Sequence, residues 1–261
     1  MNLELAGKVA LVSGGSKGMG RSIALALADE GARVAIVARG ADGLETARRE
    51  IESRGADALA IVADVSRSDD VEGAVQQTAE HFNAIDVLVT NAGGPPAKRF
   101  EQTTEEDWRQ AQELTLFSVV RLIRASLPFL ERTRGAIVTI NSISVKQPVA
   151  GLVLSNAIRP SVIGLAKSLA DELGPRGVRI NNILPGMIMT DRSRELARHR
   201  AETSGKTEED IFRETAAAIP LGRYGHPDEV AALALFLASP RSSYLTGTSI
   251  LCDGGLYRGL L

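Results

Sequence analysis

The chain alternates short apolar runs with longer stretches in which apolar residues recur at helical spacing. Seven short runs predict β-strands: Val9–Ser13, Val34–Ala38, Ala58–Val62, Val87–Thr90, Ala136–Asn141, Arg179–Ile183 and Ser249–Leu251. Six longer stretches predict helices: Met19–Glu30, Ala41–Arg54, Val71–His81, Glu105–Leu130, Ser161–Leu173 and Asp228–Ala238. The alternation predicts an α/β fold in three layers, doubly wound around a mostly seven-stranded parallel sheet.

One segment, from Gly186 to Gly225, interrupts this alternation because it contains no strand pattern. It carries two short polar helical patterns, Arg192–Arg200 and Glu208–Ala217. A long insertion after the carboxyl end of a strand lies where doubly wound sheets bind ligands, so we predict a substrate lid at about 187–225. The basic run from Arg192 to Arg200 either grips an acidic substrate group or is a solvated helix face.

Composition and charge are those of an ordinary globular protein. The 261 residues are 44% hydrophobic and 24% charged and contain no linker or repeat, which predicts a single domain over 1–261. A net charge of -2 and a pI of about 6.0 argue against a nucleic-acid partner. No apolar run spans a bilayer and no signal peptide is visible, so we expect no membrane partner and a cytoplasmic location. Cys252, the single cysteine, is interpreted as a small buried hydrophobe, and no metal site is predicted.

The first predicted strand runs into a glycine-rich turn that opens a helix. The turn residues are Ser13, Gly14, Gly15, Ser16, Lys17, Gly18, Met19 and Gly20. A strand, a glycine turn and a helix N-terminus together direct backbone N–H groups at a pyrophosphate. Gly14 permits the tight turn, Gly18 lets the backbone approach the phosphates and Gly20 lets the helix pack closely on the strand. This arrangement predicts a dinucleotide site of the Rossmann type.

Five motifs in order resemble the short-chain dehydrogenase/reductase family over nearly the whole chain. They are Gly14-x3-Gly18-x-Gly20, Asp64-Val65, Asn91-Ala92-Gly93, Pro185-Gly186 followed by Ile188 and Thr190, and Asp253-Gly254-Gly255. The resemblance implies that Asp64 and Val65 contact the adenine, that Asn91, Ala92 and Gly93 support the cofactor floor, and that the Pro185–Thr190 loop meets the nicotinamide carboxamide. It also implies a homo-oligomer, a tetramer, because Ser243–Gly255 resembles the segment that packs across a two-fold axis in this family.

The end of the second strand indicates which dinucleotide is preferred. An acidic residue there binds the ribose diol of NAD and repels the 2′-phosphate of NADP. In this chain the position is Ala38, followed by Arg39, and Lys17 lies in the glycine turn. Two cations and no carboxylate favour a dianionic phosphate, so we predict NADP(H). The alternative is that Arg39 and Lys17 are solvated surface charges.

The catalytic positions depart from the resemblance. The family uses a serine, a tyrosine whose acidity is raised by a lysine, and a helix asparagine. Ser142 falls on the serine, but Ser155 stands in place of the tyrosine, Arg159 in place of the lysine and Thr115 in place of the asparagine. Arg159 can hold a ribose hydroxyl and supply positive charge, but it is a poor proton donor. Pro160 disfavours helical geometry just before it, which places Arg159 at a shifted helix start and makes Ser155 a candidate capping residue.

A stand-in for the missing proton donor is sought among the remaining tyrosines and lysines. Tyr224, Tyr244 and Tyr257 are remote in sequence, and Lys167 lies too far along its helix from Arg159. Lys146 follows Ser142 by four residues, on the loop that edges the substrate pocket. It is either a desolvated proton donor or an exposed loop lysine.

Three functions remain open at this level. The first is an NADP(H)-dependent oxidoreductase acting on a carbonyl or alcohol substrate. Its nearest resemblance is to the beta-ketoacyl-carrier-protein-reductase-like members, which makes a 3-oxoacyl thioester the candidate substrate, and water held by Ser142 and Ser155 the candidate proton source. The second is a non-catalytic NADP(H)-binding sensor or assembly protein. An enoyl reductase ranks third, because its differently spaced Tyr and Lys are also missing.

Overall fold

A computed structural model describes residues 1–260 and shows a seven-stranded sheet. The strands are β1 (Val9–Ser13), β2 (Arg33–Ala38), β3 (Ala58–Val62), β4 (Val87–Thr90), β5 (Ala136–Ile140), β6 (Arg179–Pro185) and β7 (Ser249–Cys252). They are ordered β3-β2-β1-β4-β5-β6-β7, and every neighbouring pair is parallel. The order reverses between β1 and β4, and such a reversal opens a crevice at the carboxyl ends of the strands. The predicted Rossmann-type fold is confirmed.

Helices cover both faces of the sheet. They are α1 (Gly18–Asp29), α2 (Ala41–Ser53), α3 (Ser68–Phe82), α4 (Glu105–Gln112), α5 (Ser118–Thr133), α6 (Val153–Leu173), α7 (Asp191–Ser204), α8 (Glu208–Ala218) and α9 (Pro227–Ala238). Alternate β1 residues point to opposite faces, so that Ala10 and Val12 pack with α1, α2 and α9, and Val9 and Leu11 pack with α3, α5 and α6. Among residues 1–260, no helix is long and apolar enough to cross a membrane.

The predicted helix Glu105–Leu130 is interrupted. The structure divides it into α4 and α5, separated by a π-helical turn at Glu113–Phe117 that contains Thr115. Such turns are single local insertions with wider hydrogen bonding and occur often at functional sites. Apolar periodicity does not register one inserted residue, which is why the sequence pattern appears as one helix.

The predicted start of α6 at Ser161 is wrong, and so is the expectation that Ser155 caps it. The helix begins at Val153 after the cap residue Leu152, so Ser155 lies within its first turn and Pro160 in its interior. Proline disfavours the helical conformation locally. Leu154, however, belongs to a buried apolar face that also includes Ile158, Val162, Ala166 and Ala170. Burial of this face outweighs the local signal.

Helices α7 and α8 form a pair outside the three layers. We call residues 187–225, which contain this pair, the α7–α8 segment. A small buried cluster of Ala197, Ala201 and Ile211 joins the two helices. At the base of the segment an isolated bridge pairs Ile188 with Gly225. The Met189 N–H donates to the Gly225 carbonyl at 2.8 Å, and the Gly225 N–H donates to the Met187 carbonyl at 2.9 Å. The two ends of the segment are therefore fixed to each other beside β6.

Candidate functional site

The glycine turn after β1 is shaped to receive an anionic group. Gly14 and Gly18 have φ of 63° and 57°, a region that favours glycine. A Cβ at Gly14 would lie 2.6 Å from Asn91 Nδ2, and one at Gly20 would overlap the Gly14 carbonyl oxygen. The cap residue of α1, Lys17, makes no side-chain capping bond, and the first turn carries no acidic residue. The first-turn N–H groups are thus unsatisfied by side chains, as a phosphate site requires.

Asn91, which follows β4, ties the floor of this cleft to the glycine turn. Its Nδ2 donates to the carbonyls of Ser13 and Gly14, both at 3.3 Å. Its backbone N–H donates to Ser13 Oγ at 2.9 Å. The next two residues, Ala92 and Gly93, continue along the crevice edge. These contacts fix the turn from below without using its own N–H groups.

Arg39, Lys17 and Asp64 lie at the β2–β3 end of the crevice. Arg39 directly follows Ala38, the last residue of β2, and is exposed. Lys17 is exposed in the glycine turn, whose Ser16 approaches the start of α2. Burial raises the pKa of Asp64, but hydrogen bonds from Ser66 and the charges of Arg39 and Arg67 outweigh it, and the pKa is lowered. Arg39 and Lys17 are therefore two exposed cations that follow the neighbouring ends of β2 and β1.

The loop after β6 lines the other end of the crevice. The Gly186 N–H donates to the Cys252 carbonyl at 3.0 Å, and a Cβ at Gly186 would lie 2.7 Å from Asp253 Cβ. Ile188 is buried in the bridge at the base of the α7–α8 segment. Thr190 caps α7 and its methyl group faces Gly18, whose Cβ would lie 3.5 Å away. The loop from Pro185 to Thr190 thus passes directly beside the glycine turn.

Hydrogen bonds connect Ser142 with Arg159 through the backbone N–H and hydroxyl of Ser144 and the hydroxyl of Ser155. The Ser144 N–H donates to Ser142 Oγ at 3.1 Å, and Ser144 Oγ lies 3.3 Å from Ser155 Oγ. Arg159 Nε donates to Ser155 Oγ at 3.1 Å. Ser155 is only 6% exposed, whereas Ser142 lines a cavity. Ser142 is therefore the hydroxyl that a bound molecule reaches, and Ser155 lies behind it with Ser144 in between.

Arg159 is half-buried in the second turn of α6. Burial, and to a smaller extent the charge of Arg192, lower the pKa of Arg159 to about 10, so it remains protonated at neutral pH. Asn141 Nδ2 donates to the Arg159 carbonyl at 3.3 Å. Arg159 shares a small pocket of about 20 Å³ with Thr115 and Asn91, and Thr115 Oγ1 is buried there without a hydrogen-bond partner. Thr115 therefore presents a buried hydroxyl beside Arg159 at the floor of the crevice.

Tyr224 lines the cavity beside Ser142, and Lys146, which the sequence places nearer to Ser142, does not. Lys146 is exposed, and its ammonium lies 5.9 Å from the centre of the Tyr257 ring. This placement favours the alternative of an exposed loop lysine. Tyr224 is remote in sequence, yet it lines the same cavity as Ser142 and packs edge-on against Phe212. Sequence distance gave no signal for this approach, because it depends on how the α7–α8 segment returns to the sheet.

The cavity beside Ser142 has a volume of about 710 Å³. One wall is Ser142 and Ile143, and another is Gly186 and Met187 from the loop after β6. Its other apolar side chains include Val149, Leu152, Leu196, Ala197 and Ile211, its basic ones are Lys98, Arg99, His199 and Arg200, and Glu101 is acidic. Pockets of this size enclose small molecules.

The basic residues of α7 divide between the cavity, where they could contact a substrate, and the solvent-exposed face of the helix. His199 and Arg200 line the cavity, whereas Arg198 pairs with Glu208 at 3.1 Å and Arg194 is exposed. Arg192 turns the other way, toward the loop after β4. The sequence pattern marks the run as basic but does not distinguish its faces, since that depends on where α7 packs.

Sequence reasoning missed two polar groups of the site, Ser144 and Asn141. Both lie next to Ser142 in sequence, and polar residues directly after a buried strand were the available signal. Their partners are on α6, whose start was misplaced. The contacts with Ser155 and with the Arg159 carbonyl were therefore out of reach.

A glycine turn at a helix N-terminus, a strand-order reversal and a cavity opening beside a serine define a dinucleotide-binding α/β protein with a small-molecule pocket. The sequence profile of the family described as enoyl-(acyl carrier protein) reductase matches residues 14–257. The chain belongs to this family and, with it, to the short-chain dehydrogenases/reductases.

Curated relatives support this placement over nearly the full length. The 3-oxoacyl-(acyl-carrier-protein) reductase of Staphylococcus epidermidis is 35% identical over 252 residues, which is 96% of this chain and 99% of the relative. The enzyme of the same name from Vibrio cholerae is 34% identical over 258 residues, covering 98% and 99% of the two chains.

Solved structures share the architecture. L-Sorbose reductase from Gluconobacter frateurii, complexed with NADPH and L-sorbose, has a TM-score of 0.95 at 31% identity, with 100% of both chains covered. A short-chain oxidoreductase from Pseudomonas aeruginosa PAO1, bound to NADPH and described as containing an atypical catalytic center, has a TM-score of 0.88 at 37% identity, with 97% of each chain covered. The chain is therefore similar both to reductases with assigned substrates and to one with an unusual centre.

Proposed function

We propose that this protein is an NADP(H)-dependent oxidoreductase that interconverts a carbonyl and an alcohol with an altered catalytic set. The observation that carries the proposal is that Ser142 shares one cavity with Gly186 and Met187 of the loop after β6. A carbonyl bound against Ser142 would lie beside the part of the crevice in which this family holds the nicotinamide. Bound NADP(H) supplies or accepts the hydride.

Each of three residues has its own part in this proposal. The Ser142 hydroxyl donates a hydrogen bond to the substrate oxygen, on which negative charge develops during reduction. Arg159 supplies a fixed positive charge and donors for ribose hydroxyls. Ser155 positions Arg159, because its hydroxyl accepts the Arg159 Nε–H at 3.1 Å. The family's phenol–ammonium pair is absent from these positions.

In the proposed mechanism the proton for the substrate oxygen does not come from a tyrosine, as it does in the family. Ser155 is buried behind Ser144, and an aliphatic hydroxyl is far less acidic than a phenol. Ser144 Oγ and Ser155 Oγ are 3.3 Å apart, but Ser142 Oγ accepts from the Ser144 backbone N–H, which cannot relay a proton to it. We propose that solvent in the cavity supplies the proton and that Ser142 orients the oxygen that receives it.

NADPH is expected to bind about tenfold or more tightly than NADH, a difference of about 1.4 kcal/mol. Arg39 and Lys17 flank the corner that would receive the 2′-phosphate, and Ala38 offers no carboxylate to a ribose diol. Arg39→Asp should reverse the preference, because a carboxylate repels the phosphate and binds the diol. Fluorescence titration of both cofactors measures the ratio, and Arg132→Asp, at an exposed arginine in the last turn of α5, is the charge-matched control. Equal wild-type affinities would refute the assignment.

The substrate class proposed is a 3-oxoacyl thioester. Most of the surface that lines the cavity is apolar, which suits an acyl chain, and the curated relatives carry that activity in their names. The test is NADPH consumption with N-acetylcysteamine thioesters of 3-oxo acids of increasing length. Saturable consumption with formation of the 3-hydroxy product is expected. Turnover of 2-enoyl thioesters instead would favour the enoyl reduction named in the family description.

The α7–α8 segment is proposed as the lid of this cavity, covering 187–225. Leu196 and Ile211, one from each helix, line the cavity opposite Ser142. The bridge between Ile188 and Gly225 gives the segment a fixed base.

A second candidate function, a non-catalytic NADP(H)-binding sensor or assembly protein, is favoured by one observation: neither a phenol nor an ammonium contacts Ser155 or Arg159 in the part of the chain that the structure describes.

We expect the protein to form a homotetramer. The edge strand β7 is only half-buried, and Tyr244, just before it, is fully exposed. An open strand edge with an exposed aromatic residue is typical of a surface that associates with another chain. Sedimentation velocity at micromolar concentration should give the mass of four chains. Tyr244→Ser is expected to shift the distribution toward smaller species, and a monomeric wild type would contradict the prediction.

A further inference from the structure

Arg192 crosses the crevice from the α7–α8 segment to the opposite edge. It lies in the first turn of α7, and its Nη2 donates to the Pro95 carbonyl at 2.7 Å. Its Nη1 pairs with Glu195, one turn along the same helix, at 2.8 Å. Pro95 belongs to the loop that follows β4. A single side chain therefore connects the segment after β6 with the loop after β4.

Two guanidinium groups converge where Arg192 crosses. A Cβ at Gly94 would lie 3.8 Å from Arg159 Nη2 and 3.9 Å from both Nε and Nη2 of Arg192. Within residues 1–260, Arg159 makes no ion pair, and Glu195 pairs with Nη1 of Arg192. Like charges brought together without an anion between them are unfavourable, and an anionic ligand removes that cost. The convergence therefore indicates an oxyanion site.

The place of this site along the crevice identifies the source of the oxyanion. Gly94 follows β4, Arg159 lies beside the end of β5, and Arg192 follows β6. All three are on the opposite side of β1 from Arg39, which follows β2. The glycine turn, where the pyrophosphate lies in folds of this type, touches the cap residue of α7. The oxyanion nearest to Arg192 is thus the phosphate on the nicotinamide side.

We propose that Arg192 is a cationic strap that lies over the bound dinucleotide and binds its nicotinamide-side phosphate. The inference rests on NADP(H) binding, which is part of the proposed function, but it requires no catalysis. The strap would also hold α7 down over the crevice, since the same side chain is anchored to Pro95 and Glu195. Arg39 would select the 2′-phosphate, and Arg192 would bind either dinucleotide without discrimination.

Titrations with NADPH, NADH and adenosine 2′,5′-bisphosphate test the strap, because the third ligand lacks the nicotinamide half. Arg192→Ala should weaken NADPH and NADH by the same factor, about tenfold or more, as expected for a lost charge-assisted hydrogen bond. Affinity for the bisphosphate should be unchanged. Arg192→Lys should restore part of the loss, and Arg194→Ala, at an exposed arginine of the same helix, should match the wild type.

Four outcomes would overturn the proposal. They are no loss in Arg192→Ala, tighter binding in that variant, an equal loss for all three ligands, and an equal loss in Arg194→Ala. The first outcome, combined with a changed KM for an acidic substrate only, would assign the site to a substrate carboxylate instead. A wild-type protein that binds no NADPH would refute the proposed function itself, which is distinguishable from failure of the strap.

Discussion

Ser142→Ala is expected to lower kcat/KM for the carbonyl substrate by about a hundredfold or more. Of the hydrogen-bonded residues from Ser142 to Arg159, Ser142 is the one whose hydroxyl reaches the cavity. A donor aimed at a developing oxyanion stabilises the transition state by about a few kcal/mol. The loss should fall mainly on kcat, because the interaction strengthens as charge develops. Affinity for NADPH should change little. Steady-state rates and an NADPH titration measure both quantities.

Tyr224→Phe is the matched control for this variant. It removes another hydroxyl from the wall of the same cavity, one that is attached to the α7–α8 segment. We expect its rate to stay within about twofold of the wild type, since uninvolved surface changes have small effects. A large loss in Tyr224→Phe with none in Ser142→Ala would place the proton donor on the α7–α8 segment. Wild-type turnover that survives Ser142→Ala would mean that the reacting carbonyl binds elsewhere.

The double variant Ser155→Tyr with Arg159→Lys is expected to raise the rate of carbonyl reduction about tenfold or more. It restores the phenol and ammonium of the family, and general acid catalysis contributes about a hundredfold or more when well positioned. The variant should also acquire a decline in rate at high pH, because the phenol must be protonated to donate. The wild type should lack such a decline below about pH 9. Rates measured over the pH range test both expectations.

Arg159→Lys alone is the control for the double variant, because it supplies the ammonium without a phenol. Ser155 is buried, so a larger side chain there costs about 1–3 kcal/mol, and the melting temperature must be followed. A folded double variant that binds NADPH without any gain in rate would contradict the proposed position of the substrate. A gain over an inactive wild type would favour the binding-protein alternative.

The sheet and the cofactor cleft were predictable because their signals are local. Buried parallel strands are continuous apolar runs, so β1 and β4 have the predicted bounds. The glycine turn must follow a strand and open a helix, and these neighbours are adjacent in sequence. The corner formed by Ala38 and Arg39 is likewise read from one strand end.

The remaining site was not predictable because it depends on contacts between distant segments. Pro160 is a strong local signal, and it misplaced α6 because the buried face that includes Leu154 is recognised only when its packing partners are known. Tyr224 reaches the cavity through the return of the α7–α8 segment. Arg192 finds Pro95 almost a hundred positions earlier in the chain, across the crevice. Motif spacing carries no information about such pairs.

Transfer of deuterium from NADPH labelled at C4 of the nicotinamide to a 3-oxoacyl thioester tests the central claim most directly. With the wild-type protein, mass spectrometry of the product should find one deuterium in the 3-hydroxyacyl group. Over the same time and at equal NADPH occupancy, Ser142→Ala should form about a hundredfold less of this labelled product. A wild-type protein that binds NADPH but transfers no deuterium to any carbonyl in the thioester series would contradict the account and leave a binding protein in its place.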